Sequence, residues 1–231
     1  MMTSSNFTKV NTFLTFFNND KRLQLLSPFH SHIVALKNNL QRPLNILDVG
    51  AGMGLHANYF ASEGHFVTAI DPAEEMLQQG KKLYPTKNLE WIVDALPNLT
   101  SLNDRKFDVI YSIAAWQYIP PDFRAASIKR MVSLLLPGGL FVIVWPSPAS
   151  RENQFPLSVE SLIEEIDNLN QAFYKDQAIK ISQCQVIRDP DKRKGFIEKD
   201  HDVYFHTLIG ELTKVALKEF VSYPQKSKIT I

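Results

Sequence analysis

The sequence predicts an α/β fold: a mostly parallel sheet with helices on both faces and an antiparallel hairpin at its end. Three observations carry this reading. From Leu44 onward, short apolar runs alternate with helix-length stretches, the pattern of a parallel sheet whose crossovers are helices. Residues 47–54 read Leu47-Asp48-Val49-Gly50-Ala51-Gly52-Met53-Gly54, a strand entering a three-glycine turn, and Ala69-Ile70-Asp71 ends the next apolar run in a carboxylate. The last two apolar runs are joined by a charged segment with no helical pattern, so they pair antiparallel.

The elements follow in order. Residues 1–43 read as helical, with a break at Ser27-Pro28 and a stop at Arg42-Pro43. Residues 44–49 form a strand and 54–63 a helix, closed by Gly64 just past its end. A strand at 65–70, a helix at 72–83 and a strand at 89–94 come next, then a loop at 97–106 too short and polar for a crossover helix. Residues 107–112 form a fourth strand, and 122–135 a helix with Ala125, Ile128, Val132 and Leu135 at helical spacing. Pro137-Gly138-Gly139 makes a tight turn into a fifth strand at 140–145. After a loop at 146–156, Val159, Leu162, Ile163, Ile166 and Leu169 mark one helix face, with Ser161 and Glu164 spaced as a capping box. Strands at 179–188 and 203–209 flank the charged segment 189–201, and a last helix is expected over 211–221.

The chain has 231 residues, enough for one α/β domain with a real core. The division read here is an N-terminal helical extension over 1–43 that packs on the core, and a single domain over 44–231. Within that domain, 44–146 is a cofactor-binding half and 147–231 a substrate-side half. Hydrophobic residues make up 45% of the chain and the formal net charge is +1, so no global basic field attracts nucleic acid. Cys184 is the single cysteine, which rules out an intrachain disulfide and a cysteine-based metal cluster and fits a reducing, cytoplasmic setting. No apolar run reaches membrane-spanning length, and residues 1–10 do not read as a secretory signal. The histidines lack metal-ligand spacing, so no metal is expected.

Taken from its residues alone, the glycine turn with Asp71 suits a nucleotide-like ligand lying across the ends of two parallel strands. A dinucleotide fingerprint is G-x-G-x-x-G; here the glycines fall at Gly50, Gly52 and Gly54, and Leu55 stands where a dinucleotide site needs its last glycine. Three glycines in five residues are costly in conformational entropy, which points to a ligand approaching the backbone. Asp71-Pro72-Ala73-Glu74 carries a second reading as a helix cap with proline in the first turn. The two roles are compatible, because a carboxylate has two oxygens.

Together with Asp94-Ala95-Leu96, the segment Ser112-Ile113-Ala114-Ala115-Trp116-Gln117-Tyr118-Ile119-Pro120 and Leu136-Pro137-Gly138-Gly139-Leu140, the glycine turn resembles the class I S-adenosylmethionine-dependent methyltransferases. That resemblance implies a Rossmann-like seven-stranded sheet in the order 3-2-1-4-5-7-6. It implies that Gly50, Ala51, Gly52 and Gly54 hold the methionine portion of S-adenosylmethionine, with Asp48 orienting the turn and the cofactor's amino group. It gives Asp71, beside Pro72, to the ribose, and Asp94, Ala95 and Leu96 to the adenine, with Met76 and Met53 as apolar walls. Ser112 and Ile113 would border the sulfonium; S-adenosylhomocysteine would be the product.

The acceptor side is less defined. Trp116 and Tyr118 either wall the substrate pocket or pack as ordinary aromatics, and Tyr118 stands where the family often has histidine. Tyr118, His56 and Trp116 are the candidates for a catalytic role. Arg151, Asn153 and Phe155, the N-terminal helices with His30 and His32, and the 189–201 segment are expected to cover the pocket, while Lys192-Arg193-Lys194 reads as a solvated hairpin tip or, alternatively, as cations that meet an acidic substrate. His201 and His206 belong to the last hairpin and read as packed or solvated. The leading function is methyl transfer to a small molecule, with no membrane partner. The alternatives are a methyltransferase acting on RNA or protein, and a non-catalytic regulatory subunit that binds S-adenosylmethionine. Leu55 disfavours a nicotinamide oxidoreductase, and oligomeric state is not legible.

Overall fold

The structure, a computed structural model, describes residues 23, 26–147, 153–173, 177–188 and 204–214. Helix α1 (Ser27–Leu40) leads into β1 (Asn45–Val49), α2 (Leu55–Ser62), β2 (Phe66–Asp71), α3 (Glu74–Leu83) and β3 (Leu89–Val93). Then come β4 (Phe107–Ile113), α4 (Pro121–Ser133), β5 (Leu135–Ser147), α5 (Val159–Phe173), β6 (Gln177–Arg188) and β7 (Tyr204–Lys214). The seven strands form one sheet in the order β3-β2-β1-β4-β5-β7-β6, the order implied by the family resemblance. The first five strands pair parallel, while β7 runs antiparallel to both β5 and β6.

Each face of the sheet buries its own apolar layer, because successive strand residues point to opposite sides. On one face Ile46, Val67, Val109 and Val142 pack against Phe29 and Ile33 of α1 and Ala57 and Phe60 of α2. On the other, Leu47, Ile110 and Ile143 meet Ile128 and Val132 of α4 and Leu162 and Ile166 of α5. Burial of such a side chain contributes roughly 1.5–3 kcal/mol, so these layers hold the strand ends in place. At the edge where the parallel strands begin, Asp108 fixes β1 against β4. Its carboxylate accepts two bonds from Arg42, at 2.7 and 2.8 Å, and a third from the Asn45 amide at 2.8 Å.

Several element boundaries depart from the sequence reading. Ser27-Pro28 begins α1, since a first-turn proline gives up an N–H that has no helical acceptor; the residues expected to be helical before it lie mostly outside the described ones. Ala125 is exposed, and α4 buries Arg124, Ser127, Ile128, Met131 and Val132 instead. Leu135 already pairs with Phe107, so Pro137-Gly138-Gly139 is an irregularity inside β5 rather than a turn before it. The helix cap at 158–161 is reciprocal: the Ser161 amide donates to the Ser158 hydroxyl at 3.1 Å, and the Ser158 amide to Ser161 Oγ at 3.2 Å. The capping box is therefore Ser158 with Ser161, not Ser161 with Glu164. Residues 211–214 continue β7, which displaces the start of the expected last helix; 215–221 lie outside the described residues, as do the calls on 1–22 and 189–201.

Candidate functional site

The carboxyl ends of the parallel strands bring together the donor-side residues singled out in the sequence. The amides of Gly50 and Ala51 both donate to the carbonyl of Ile70, at 2.8 and 2.9 Å, which seats the turn on β2. Gly50, Gly52 and Gly54 all have positive φ, at 77°, 57° and 73°, a region that suits glycine. A Cβ on Gly50 would lie 2.3 Å from the Cβ of Ala115, and one on Gly54 would lie 2.3 Å from the Trp91 ring. At Gly52 it would meet only Met76 Cε, at 3.5 Å. Two of the three glycines are thus required by the protein's own packing, and Gly52 is the one whose backbone is open. Packing thus gives two of the three glycines a reason beside the ligand approach read from the sequence.

Asp71 joins the turn to the next element. Its Oδ2 accepts from the Gly52 amide at 2.9 Å and its Oδ1 from the Ala73 amide at 2.8 Å. Burial pushes this carboxyl above its ordinary value, and the two amide bonds oppose the shift. The N-cap of α3 is Ala73, with no side-chain cap, so Asp71 tightens the bend before the helix and does not cap it. Each carboxylate oxygen keeps a further lone pair. Pro72 is exposed and Met76 half-buried beside them. Met53 is fully buried, which places it beneath the turn and not on an open adenine wall.

Asp48 lies under the turn, 2% exposed, and its Oδ2 accepts from the Tyr111 hydroxyl at 2.9 Å. Desolvation raises its carboxyl to about 8 against the stabilising Tyr111 bond, with Asp71 adding repulsion. At the end of β3, Asp94 accepts from the Ala95 amide and from the Ser101 amide, both at 2.7 Å. In this state the Ala95 amide, expected to meet an adenine nitrogen, is engaged by Asp94 itself. Leu96 packs against the α4–α5 layer.

After β4 the chain turns sharply through Ala114, a non-glycine residue at φ 56°. Such a position costs about 1–3 kcal/mol and is held by the Ala114 amide donating to the Val144 carbonyl at 2.8 Å. Ser112 is fully buried and Ile113 nearly so. The Ser112 hydroxyl, the Trp116 indole N–H and the Gln117 side-chain carbonyl have no hydrogen-bond partner among the described residues. Trp116 is fully buried in the α4–α5 layer, so it is a core residue and not a pocket wall. Tyr118 is 37% exposed and accepts from Gln154 Nε2 at 3.1 Å. His56, half-buried, opens α2 next to the turn.

Residues 153–158 are fastened onto this post-β4 segment. The Phe155 amide donates to the Gln117 carbonyl at 2.8 Å, and the Trp145 indole to the Leu157 carbonyl at 3.2 Å. Arg124, 3% exposed, donates to the carbonyls of Ile119 at 3.1 Å, Pro156 at 3.2 Å and Phe155 at 3.5 Å. Sequence reasoning missed Arg124 and Gln154, since a single arginine or glutamine in an amphipathic stretch carries no pattern. Phe155 and Asn153 stand on the same segment, Asn153 exposed. Arg151, His201 and the 192–194 cations lie outside the described residues. His30 does not reach this edge: its Nε2 lies 3.2 Å from the Tyr59 hydroxyl and 3.6 Å from Glu63 at the far end of α2. His206 stacks on Trp145, with centroids 5.3 Å apart.

A methyltransferase-domain family model matches residues 46–139, the span that holds the glycine turn, Asp71, Asp94 and the post-β4 segment in a sheet of order 3-2-1-4-5-7-6. Residues 46–139 thus match a methyltransferase domain, in a sheet whose strand order is the one implied by the resemblance to the class I S-adenosylmethionine-dependent methyltransferases. An uncharacterized methyltransferase of Mycobacterium bovis is 32% identical over 107 residues, 46% of this chain and 41% of that protein. A ubiquinone biosynthesis O-methyltransferase of Xanthomonas campestris is 30% identical over 148 residues, 59% of this chain and 61% of that protein. The chain therefore spans between about two fifths and three fifths of these curated relatives. Among solved structures, a Burkholderia thailandensis 1,6-didemethyltoxoflavin-N1-methyltransferase shares the fold, with a TM-score of 0.59 and 19% identity over 92% of each chain. The methyltransferase-domain match ends at Gly139, before the 153–158 segment and the β6–β7 pair.

Proposed function

We propose that this protein transfers a methyl group from S-adenosylmethionine to a small-molecule acceptor by in-line displacement. The observation that carries the reading is Asp71, a half-buried carboxylate fixed to the Gly52 amide where β1 and β2 end. Ligands of such sheets bind outside the carboxyl ends of the strands. The residues fit the cofactor: Gly52 offers open backbone, Asp71 retains acceptor capacity for two hydroxyls, and Asp94 has an acceptor for an exocyclic amine. Gly50, Gly52 and Gly54 would hold the methionine portion, Asp71 the ribose, and Asp94 to Leu96 the adenine. When bound, the sulfonium supplies a methyl carbon that is electrophilic without help from the protein.

What the chain contributes is placement. The post-β4 segment and residues 153–158 form one wall beside the sulfonium position, and such a wall aligns the acceptor and excludes water. Tyr118 and His56 are the candidates to take up or relay a proton where the acceptor atom carries one. A small acceptor is supported by the relative named for ubiquinone biosynthesis and by the solved neighbour that holds 1,6-didemethyltoxoflavin and S-adenosylhomocysteine. Near-neutral charge disfavours a nucleic-acid acceptor. No helix among the described residues is long and apolar enough to cross a membrane, and we place the reaction in the cytoplasm, in keeping with the single free thiol of Cys184.

Calorimetry with S-adenosylmethionine, S-adenosylhomocysteine and NAD tests the donor: the first two bind and NAD does not. Tight NAD binding, or no binding of the other two, overturns the reading. Asp71→Ala is expected to weaken S-adenosylhomocysteine by about tenfold or more while lowering apo stability by about 1 kcal/mol. A large loss of apo stability at unchanged affinity would make Asp71 purely structural.

A further inference from the structure

We propose that the groove at the opposite edge of the sheet, where the parallel strands begin, is a second binding site, for an aromatic anion of mononucleotide size. The groove has a volume of about 440 Å³ and is lined by Asn45, Phe66, Lys87, Glu90, Arg105 and Phe107, among others. That volume lies within the usual range for small-molecule sites. It is separate from the donor site: β2 begins at Phe66 in the groove and ends at Asp71, so the two sites sit at opposite ends of the same strand.

The lining combines a stacking surface with available cations. Phe66 is 53% exposed; a lone exposed phenylalanine is ordinary, but this one borders a concave site shared with three basic side chains. Lys87 has no polar partner among the described residues. Arg105 lies over the Phe107 ring, 5.6 Å from its centroid. It bonds Glu90 and Thr68 at 2.8 Å each, both through Nη2. Nη1 and Nε of its planar fork therefore have no acceptor among the described residues, and free guanidinium N–H groups bind anions well. Lys106, also in the lining, donates to the Ser133 carbonyl, which leaves its charge uncompensated. Glu90 is the opposing charge in the groove, and its pairing with Arg105 reduces its repulsion toward an anion. An aromatic face on Phe66, an unpaired ammonium and a partly free guanidinium match the base and the phosphate of a mononucleotide. Base stacking on an aromatic side chain is tolerant of base identity.

Adenosine 5′-monophosphate is the probe, titrated by calorimetry into the full chain with and without saturating S-adenosylhomocysteine. One site is expected, with an affinity unchanged by the second ligand, and with adenosine and inorganic phosphate each at least about tenfold weaker than the nucleotide. Phe66→Ala and Lys87→Ala should each weaken the nucleotide by at least about fivefold while leaving S-adenosylhomocysteine affinity and the melting temperature unchanged. No binding at millimolar nucleotide, displacement by S-adenosylhomocysteine, phosphate binding as tightly as the nucleotide, or wild-type affinity in both variants would each overturn the proposal.

Discussion

The donor side and the acceptor side of the strand edge are built by different means. On the donor side a few backbone groups within short sequence distance set the geometry: Gly50 and Ala51 bond Ile70, and Gly52 bonds Asp71. On the acceptor side the wall is assembled from distant segments, with Arg124 and Gln117 holding Phe155 and Pro156 from 31 to 38 residues away. The first arrangement preserves one ligand's shape. The second can be re-cut by changing a single segment while the donor turn stays intact, which is how one fold serves many acceptors.

The largest expected effect tests the donor turn. Gly50→Ala puts a methyl group against Ala115 at a φ of 77° and should cost about 2–4 kcal/mol in urea unfolding, with loss of S-adenosylhomocysteine binding. Adding Ala115→Gly should recover part of that loss, since it removes the clash and leaves the backbone strain. A stable Gly50→Ala protein with normal binding would show that the turn has more slack than its contacts indicate.

Next in size is Arg124→Ala, which strips three carbonyls of a buried donor and removes the cation that faces Glu165, whose carboxyl burial already raises. The expected loss is about 2–3 kcal/mol, with S-adenosylhomocysteine affinity unchanged within about threefold, because no donor-side bond passes through this residue. A parallel collapse of cofactor affinity would erase the distinction between the two sides.

The last effect is read across pH and concerns Asp48. Its carboxyl titrates near 8 in the folded chain and near 4 when unfolded, so the folded state holds a proton that the unfolded state releases. Stability should therefore fall as pH rises from about 4 to about 8 and level off above that. Asp48→Asn keeps the shape, flattens the fall, and should exceed the wild type by about 1 kcal/mol or more at pH 9. Denaturant unfolding across that range measures it; an unchanged slope would mean that another buried group, such as Asp71, carries the dependence.

The same contrast explains what the sequence made legible. The glycine turn and Asp71 lie within stretches whose geometry is local, so pattern and spacing expose them, whereas the strand order and Asp94 were legible only through the family resemblance. The packing need for glycine at Gly50 and Gly54 was not legible because Ala115 and Trp91, which demand it, lie far along the chain. Trp116 looked like a pocket wall because its position follows β4, yet its burial is decided by α4 and α5. Arg124 bears no signal at all, since its value lies in carbonyls that become neighbours only on folding. The cap at Ser158 and Ser161 was missed because serine replaces the usual glutamate at the third helical position.

The contact between Gly50 and Ala115 also limits how the proposed acceptor side can be redesigned. Widening the pocket by grafting a different post-β4 loop will succeed only where residue 115 stays small, because any larger side chain there would press on the donor turn. Engineering freedom begins at Tyr118 and in residues 153–158, where replacements meet solvent and exchangeable hydrogen bonds instead of the backbone of the glycine turn.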